Sequence, residues 1–158
     1  MKTLMTGLFC CALAVPLIAQ AETGSWTSGW GQGTTEYSVR GQGQSQLYIG
    51  CDPYKAMFVM FTDAAGRSLT NYNAQTQTRS FYVAVDGSDP ILFNDELSRV
   101  GADSVRLAWD KLRKGKTVIV SGEGMQTTRF TLKGAGQVLP AFSQSDCKVG
   151  ADIPAGEN

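Results

Sequence analysis

The chain has no histidine among its 158 residues. That absence excludes Ser–His–Asp and Cys–His catalysis, an imidazole base near neutral pH, and most zinc and haem sites. Charge of either sign is not in surplus: 14 basic side chains face 14 acidic ones. A nucleic acid or an anionic bilayer held by field strength rewards a basic excess, so neither partner is expected. Long apolar runs are missing too. The longest, residues 4–18, falls short of the roughly 20 residues that cross a bilayer as a helix. The length suits a single domain.

The start of the chain has the form of an export signal. Met1-Lys2-Thr3 is a short positive opening, the apolar run follows, and Ala19-Gln20-Ala21 is a small-x-small cleavage site. Residues 1–21 are therefore expected to be a cleaved signal peptide, and the protein periplasmic, with secretion as the alternative. A lipoprotein reading, acylated at Cys10 or Cys11, fits poorly because Phe9 and Cys10 stand where a small residue belongs. Cleavage removes Lys2, Cys10 and Cys11. It leaves 13 basic against 14 acidic groups, and Cys51 with Cys147 as the remaining cysteines. Two cysteines in an exported chain most simply form one structural disulfide. A redox pair would favour the close Cys-x-x-Cys spacing that is absent.

Residues 22–46 are rich in Gly, Gln, Ser and Thr, with Trp26 and Trp30 set among them. This composition predicts an N-terminal arm, or loops turned by glycines around a short strand at Glu36-Tyr37-Ser38-Val39-Arg40. The tryptophans either anchor the arm to the domain or, with Tyr37, form exposed contacts for a partner.

Residues 47–158 read as a β-rich domain. Strand chemistry recurs at residues 47–50, 56–61, 80–85, 117–121 and 127–132, and Asp86-Gly87 is a turn signal. The run Ala56-Met57-Phe58-Val59-Met60-Phe61 is apolar on both parities, which predicts a strand covered on both faces. Val105, Ala108, Trp109 and Leu112 fall on one helical face; Asp103 or Ser104 would cap that helix and Gly115 would take its C′ position. A last short helix would bury Ala135, Val138, Leu139 and Phe142, with Pro140 in its first turn. The fold class is mainly β, sandwich-like or α+β, with antiparallel strands, one or two short helices and one disulfide.

No residue set assembles a catalytic centre, and no metal or cofactor is expected. Asp86, Asp89, Asp95 and Glu96 form the densest acidic stretch, but without the spacing of a calcium loop. Paired acids for glycoside hydrolysis remain conceivable there. The basic group Lys111, Arg113, Lys114 and Lys116 suits the negative end of a helix. The glycine runs at 29–33 and 41–43 lack the flanking strand and helix of a dinucleotide site.

From Trp109 onward the order Leu112-x-x-Gly115-Lys116-Thr117-Val118-Ile119-Val120, Phe130-Thr131-Leu132-Lys133-Gly134, a short helix and Cys147 resembles small exported bacterial proteins of the invasion-associated locus B type. It is similar also to periplasmic accessory proteins of type VI secretion systems. Residues 47–51 extend the likeness, which implies a Cys51–Cys147 pairing and a β-rich envelope domain without an assigned catalytic centre. The expected function is non-enzymatic binding in the cell envelope, accessory to secretion, conjugation or host interaction, through Trp26, Trp30 and Tyr37. The alternatives are a periplasmic immunity or inhibitor protein and a small carboxylate-dependent hydrolase.

Overall fold

The computed structural model describes residues 24–71, 81–93 and 98–153. The expected signal segment 1–21, with Cys10 and Cys11, lies outside them, as do Asn94, Asp95 and Glu96 of the acidic stretch. The described residues form two antiparallel sheets. In the first, β1 (Thr27–Gly31), β2 (Thr34–Arg40), β3 (Gln46–Cys51), β4 (Phe58–Thr62) and β5 (Ser68–Thr70) lie side by side in chain order. In the second, β6 (Phe81–Val85), β7 (Ile91–Phe93), β8 (Thr117–Gly122) and β9 (Thr128–Thr131) lie in the order β7-β6-β8-β9. Between β7 and β8 runs the helix α1 (Arg99–Lys114); a short α2 (Ala135–Val138) and two 3-10 turns, Phe142–Gln144 and Gly150–Asp152, follow β9. The mainly β class with a disulfide is the architecture observed.

Period-two alternation sets the inner faces. Tyr37 and Val39 of β2, Leu47 and Ile49 of β3, and Val59 and Phe61 of β4 are all buried, while the residues between them are exposed or half-buried. Phe61 bridges the sheets, its ring 5.9 Å from that of Phe81 and 6.2 Å from that of Phe130. Each such ring taken wholly out of water contributes on the order of 1.5–3 kcal/mol. The both-faces-covered reading of residues 56–61 does not hold. Phe58 is 38% exposed and Met60 only half-buried, since the outer face of the first sheet has no layer over it among the described residues. Phe58 instead stacks edge-on against Tyr48 at 6.2 Å.

The helix α1 begins earlier than its apolar stripe suggested. Its N-cap is Ser98, not Asp103 or Ser104: the Ser98 hydroxyl accepts from the Gly101 amide at 3.1 Å. Ala102 joins Val105, Ala108, Trp109 and Leu112 on the buried side. At the other end Gly115 is extended, φ −81°, so left-handed backbone is not why glycine stands there. A Cβ would press into Val85 Cγ1 and reach 2.9 Å from Leu132 Cδ1, so the residue is selected by close packing of helix on strands.

Trp109, fully buried, is the centre of the domain. Its ring meets Tyr37 and Phe142 edge-on, both at 5.6 Å, and its Nε1 donates to the Pro140 carbonyl at 2.9 Å. Pro140 therefore follows α2 rather than opening it. Leu139 before it is extended, as a residue preceding proline prefers, and the helix stops after one turn. Cys51 at the end of β3 and Cys147 form the disulfide, and Met57 N donates to Lys148 O at 2.8 Å, binding the C-terminal segment to the first sheet. Among the described residues no helix is long and apolar enough to cross a membrane.

Candidate functional site

The three aromatic residues expected to meet a partner take different places. Trp26, 3% exposed, precedes β1 and fastens the two sheets to each other. Its backbone N–H donates to Lys133 O at 3.0 Å and its Nε1 to Thr131 O at 3.1 Å. Tyr37, 4% exposed, lies on the inner face of β2 against Trp109. Burial and the nearby Asp146 carboxylate push its hydroxyl pKa up, so it stays neutral. A buried ring cannot present contact area, and these two leave the contact surface. Trp30 remains, at 75% exposure.

Trp30 owes its place to register. In the β1–β2 hairpin it lies opposite Thr35, which in turn lies opposite Cys51 of β3. This row lies at the hairpin end of the first sheet. There Thr35 Oγ1 donates to Asp146 at 2.8 Å, next to the disulfide. The loop leaving Cys51 sets Tyr54 at the same end, 79% exposed, with its backbone N–H on the Asp52 carboxylate at 2.9 Å. Tyr54 escaped the sequence reading because it stands alone in a turn, outside any aromatic group.

The strand carrying Trp30 has an unpaired side. β1 bonds to β2 on one edge, and its far edge has no strand partner among the described residues. Its sequence, Thr27-Ser28-Gly29-Trp30-Gly31, has none of the charges or prolines that ordinarily blunt such an edge. The predicted arm at 22–46 is thus, from residue 24, largely sheet. β1 and β2 are ordered by pairing and by the anchor at Trp26.

The acidic stretch offers different chemistry from that expected. Asp86 and Gly87 are the middle of a tight turn, φ +49° and +75°, closed by Ser88 N on Val85 O at 2.9 Å. Its carboxylate accepts from Thr117 N at 2.9 Å, Lys116 N at 3.1 Å and the Thr117 hydroxyl at 3.4 Å. The backbone N–H groups of Thr117 and Lys116 hold its pKa below the ordinary carboxylate value. Asp86 therefore fastens the β6–β7 turn to β8 as a standing anion, and a general acid needs the opposite shift. The basic group is also partly engaged: Arg113 Nε donates to Leu139 O at 2.9 Å, and Lys114 pairs with Asp110 at 3.6 Å. Among the described residues no group of three or more His, Cys, Asp or Glu is placed to hold a metal ion.

One carboxylate went unremarked in sequence. Asp63 is fully buried, and accepts from the backbone N–H groups of Ala65 (2.9 Å), Arg67 (3.0 Å) and Gln126 (2.9 Å) while pairing with the Arg67 guanidinium at 2.8 Å. The Gln126 N–H bond, with those from Arg67, keeps its pKa low. It ties the β4–β5 hairpin to the loop between β8 and β9, 63 positions away in the chain.

In comparison with known proteins, the family model described as YfjT matches residues 24–139. No curated protein and no solved structure matches the chain.

Proposed function

The chain belongs to the YfjT family, and from that premise we propose that it is a non-enzymatic, exported binding protein of the cell envelope. Its role would be accessory to secretion, conjugation or host interaction. The observation that carries the proposal is the open edge of β1 with Trp30 beside it. An extended segment of a partner protein can add to such an edge as another strand, main-chain hydrogen bonds supplying affinity and the Trp30 ring a point of selectivity. Tyr54, at the same end of the sheet, enlarges the aromatic area. The buried Cys51–Cys147 bridge suits an oxidising compartment. The likeness to invasion-associated locus B and type VI accessory proteins supports the same envelope setting. The immunity and hydrolase readings draw less support, because Asp86 is spent on a turn.

The test is photo-crosslinking in intact cells from a probe at position 30, with a probe at the exposed Leu107 as control. One partner protein should be captured from position 30 and not from 107, and Ser28→Pro, which removes an amide on the open side of β1 and none from the β1–β2 ladder, should abolish capture while the melting temperature of the purified variant stays close to wild type. Capture of the same proteins from both positions, or none from either, would overturn the reading. Export is checked separately by fusing residues 1–30 to a reporter active only outside the cytoplasm.

A further inference from the structure

The two sheets meet along a seam that the segment before β1 closes. Gly24 N donates to Arg40 O at the end of β2, and Trp26 N to Lys133 O just past β9, both at 3.0 Å. Beside this seam lies a cavity of about 380 Å³. Phe130 and Ala64 give it an apolar floor, and Gln126, Thr127, Arg40 and Arg129 line its polar sides. Gly41 is what allows the loop after β2 to come down on that floor: a Cβ there would stand 3.1 Å from the Phe130 ring. The volume is in the range of small-molecule sites, near its lower end.

The arginines are the informative part. Arg67, Arg106 and Arg113 each pair with an aspartate. Arg40 and Arg129 have no carboxylate within ion-pair distance among the described residues, yet they arrive at the same cavity from different sheets. The nearest buried anion, Asp63, does not satisfy them. Its oxygens are occupied by Ala65, Arg67 and Gln126, and it serves instead to hold the Gln126 wall against the β4–β5 hairpin. Two arginines free of ion pairs among the described residues, with Gln126 and Thr127 in the same lining, supply the forked and single donors that a planar or tetrahedral oxyanion takes.

We propose that this seam cavity binds the carboxylate or phosphate group of a small acidic ligand, with Arg40 and Arg129 as its bidentate donors and Gln126 and Thr127 reading the groups attached to it. The site is separate from the β1 edge and stands whether or not Trp30 captures a protein. An acidic sugar and a phosphoester share this chemistry, and the probes tell them apart.

The experiment follows backbone amide shifts and heat on titration with glucuronate, inorganic phosphate and, as neutral control, glucose. Glucuronate or phosphate should shift the amides of residues 40–42 and 126–131 with saturable binding that weakens with salt, and glucose should not. Stronger binding of glucuronate assigns the carboxylate class, and of phosphate the phosphoester class. Arg40→Gln with Arg129→Gln should weaken the preferred anion at least tenfold, whereas Arg99→Gln, an exposed arginine outside the cavity, should leave it unchanged. Thermal melts of the variants should superpose on wild type, since both cavity arginines are exposed. No saturable binding of either anion, or equal loss in Arg99→Gln, would overturn the assignment.

Discussion

Replacing Cys51 and Cys147 together by alanine removes a bridge between positions 96 apart. In the chain-entropy model, closing a loop of about that length takes close to 4.7 kcal/mol of freedom from the unfolded state. Both residues are buried, so the lost sulfur atoms add a small packing cost in the same direction. Domains of ordinary stability have about 5–15 kcal/mol in all. The bridge therefore holds a large part of it, and the variant should stay folded but near the edge. The folded variant should look native, because Met57 N on Lys148 O and Trp109 Nε1 on Pro140 O still hold the C-terminal segment. Urea unfolding of the oxidised protein and the double variant measures the effect. The expected loss is about 3–5 kcal/mol, with a steeper denaturant slope in the variant because its unfolded chain exposes more surface. A loss below about 1 kcal/mol, or a large loss with an unchanged slope, would refute the argument that the bridge acts through the unfolded state.

Four further substitutions separate packing from contact and charge. Trp30→Ala should change stability by no more than about 0.5 kcal/mol, while Trp26→Ala should cost about 3–5 kcal/mol, both read from chemical melts. Gly115→Ala should cost about 1–3 kcal/mol through overpacking against Val85 and Leu132, and its far-UV spectrum should stay native. Asp86 has a folded pKa below its unfolded value, so its stabilising effect is complete above about pH 4 and is lost as the pH falls through the lowered value. Asp86→Asn tolerates the same positive φ and should flatten the acid limb of melting temperature against pH below about pH 4; an unchanged limb would show that the Lys116 and Thr117 amides do not hold the charge.

What the sequence made visible were features written in consecutive residues. The alternation of Tyr37 with Val39, and of Phe130 with Leu132, already marks the inner faces. The spacing of Val105, Ala108, Trp109 and Leu112 marks the core side of α1, and Asp86-Gly87 marks the turn. The helix start was missed because Arg99 is polar and Val100 lies exposed on the outer side, so its first turn adds nothing apolar to the stripe except Ala102. Asp63 could not be read as buried at all. Its surroundings include an N–H from Gln126, far along the chain, and nothing local distinguishes it from an ordinary turn aspartate.

The Gly/Gln-rich segment shows where composition misleads about order. Few apolar groups mean little to bury, and β1 indeed buries almost nothing along Thr27–Trp30. It is ordered by other means: five residue pairs in register with β2, and Trp26 fastened to the far sheet through Thr131 and Lys133. The same economy accounts for the division of the aromatics. Trp26 must be buried to hold a strand that cannot hold itself, and Tyr37 faces inward because β2 alternates. Trp30 has no such duty. An uncharged edge strand is a liability in a protein that must stay separate from its neighbours, because it pairs with any other open edge. A partner strand laid on β1 would remove that liability and cover the Trp30 ring in the same step. Introducing lysine at Ser28 or Gly31 should therefore improve solubility at high concentration and weaken partner capture together, two effects that a merely decorative edge would not couple.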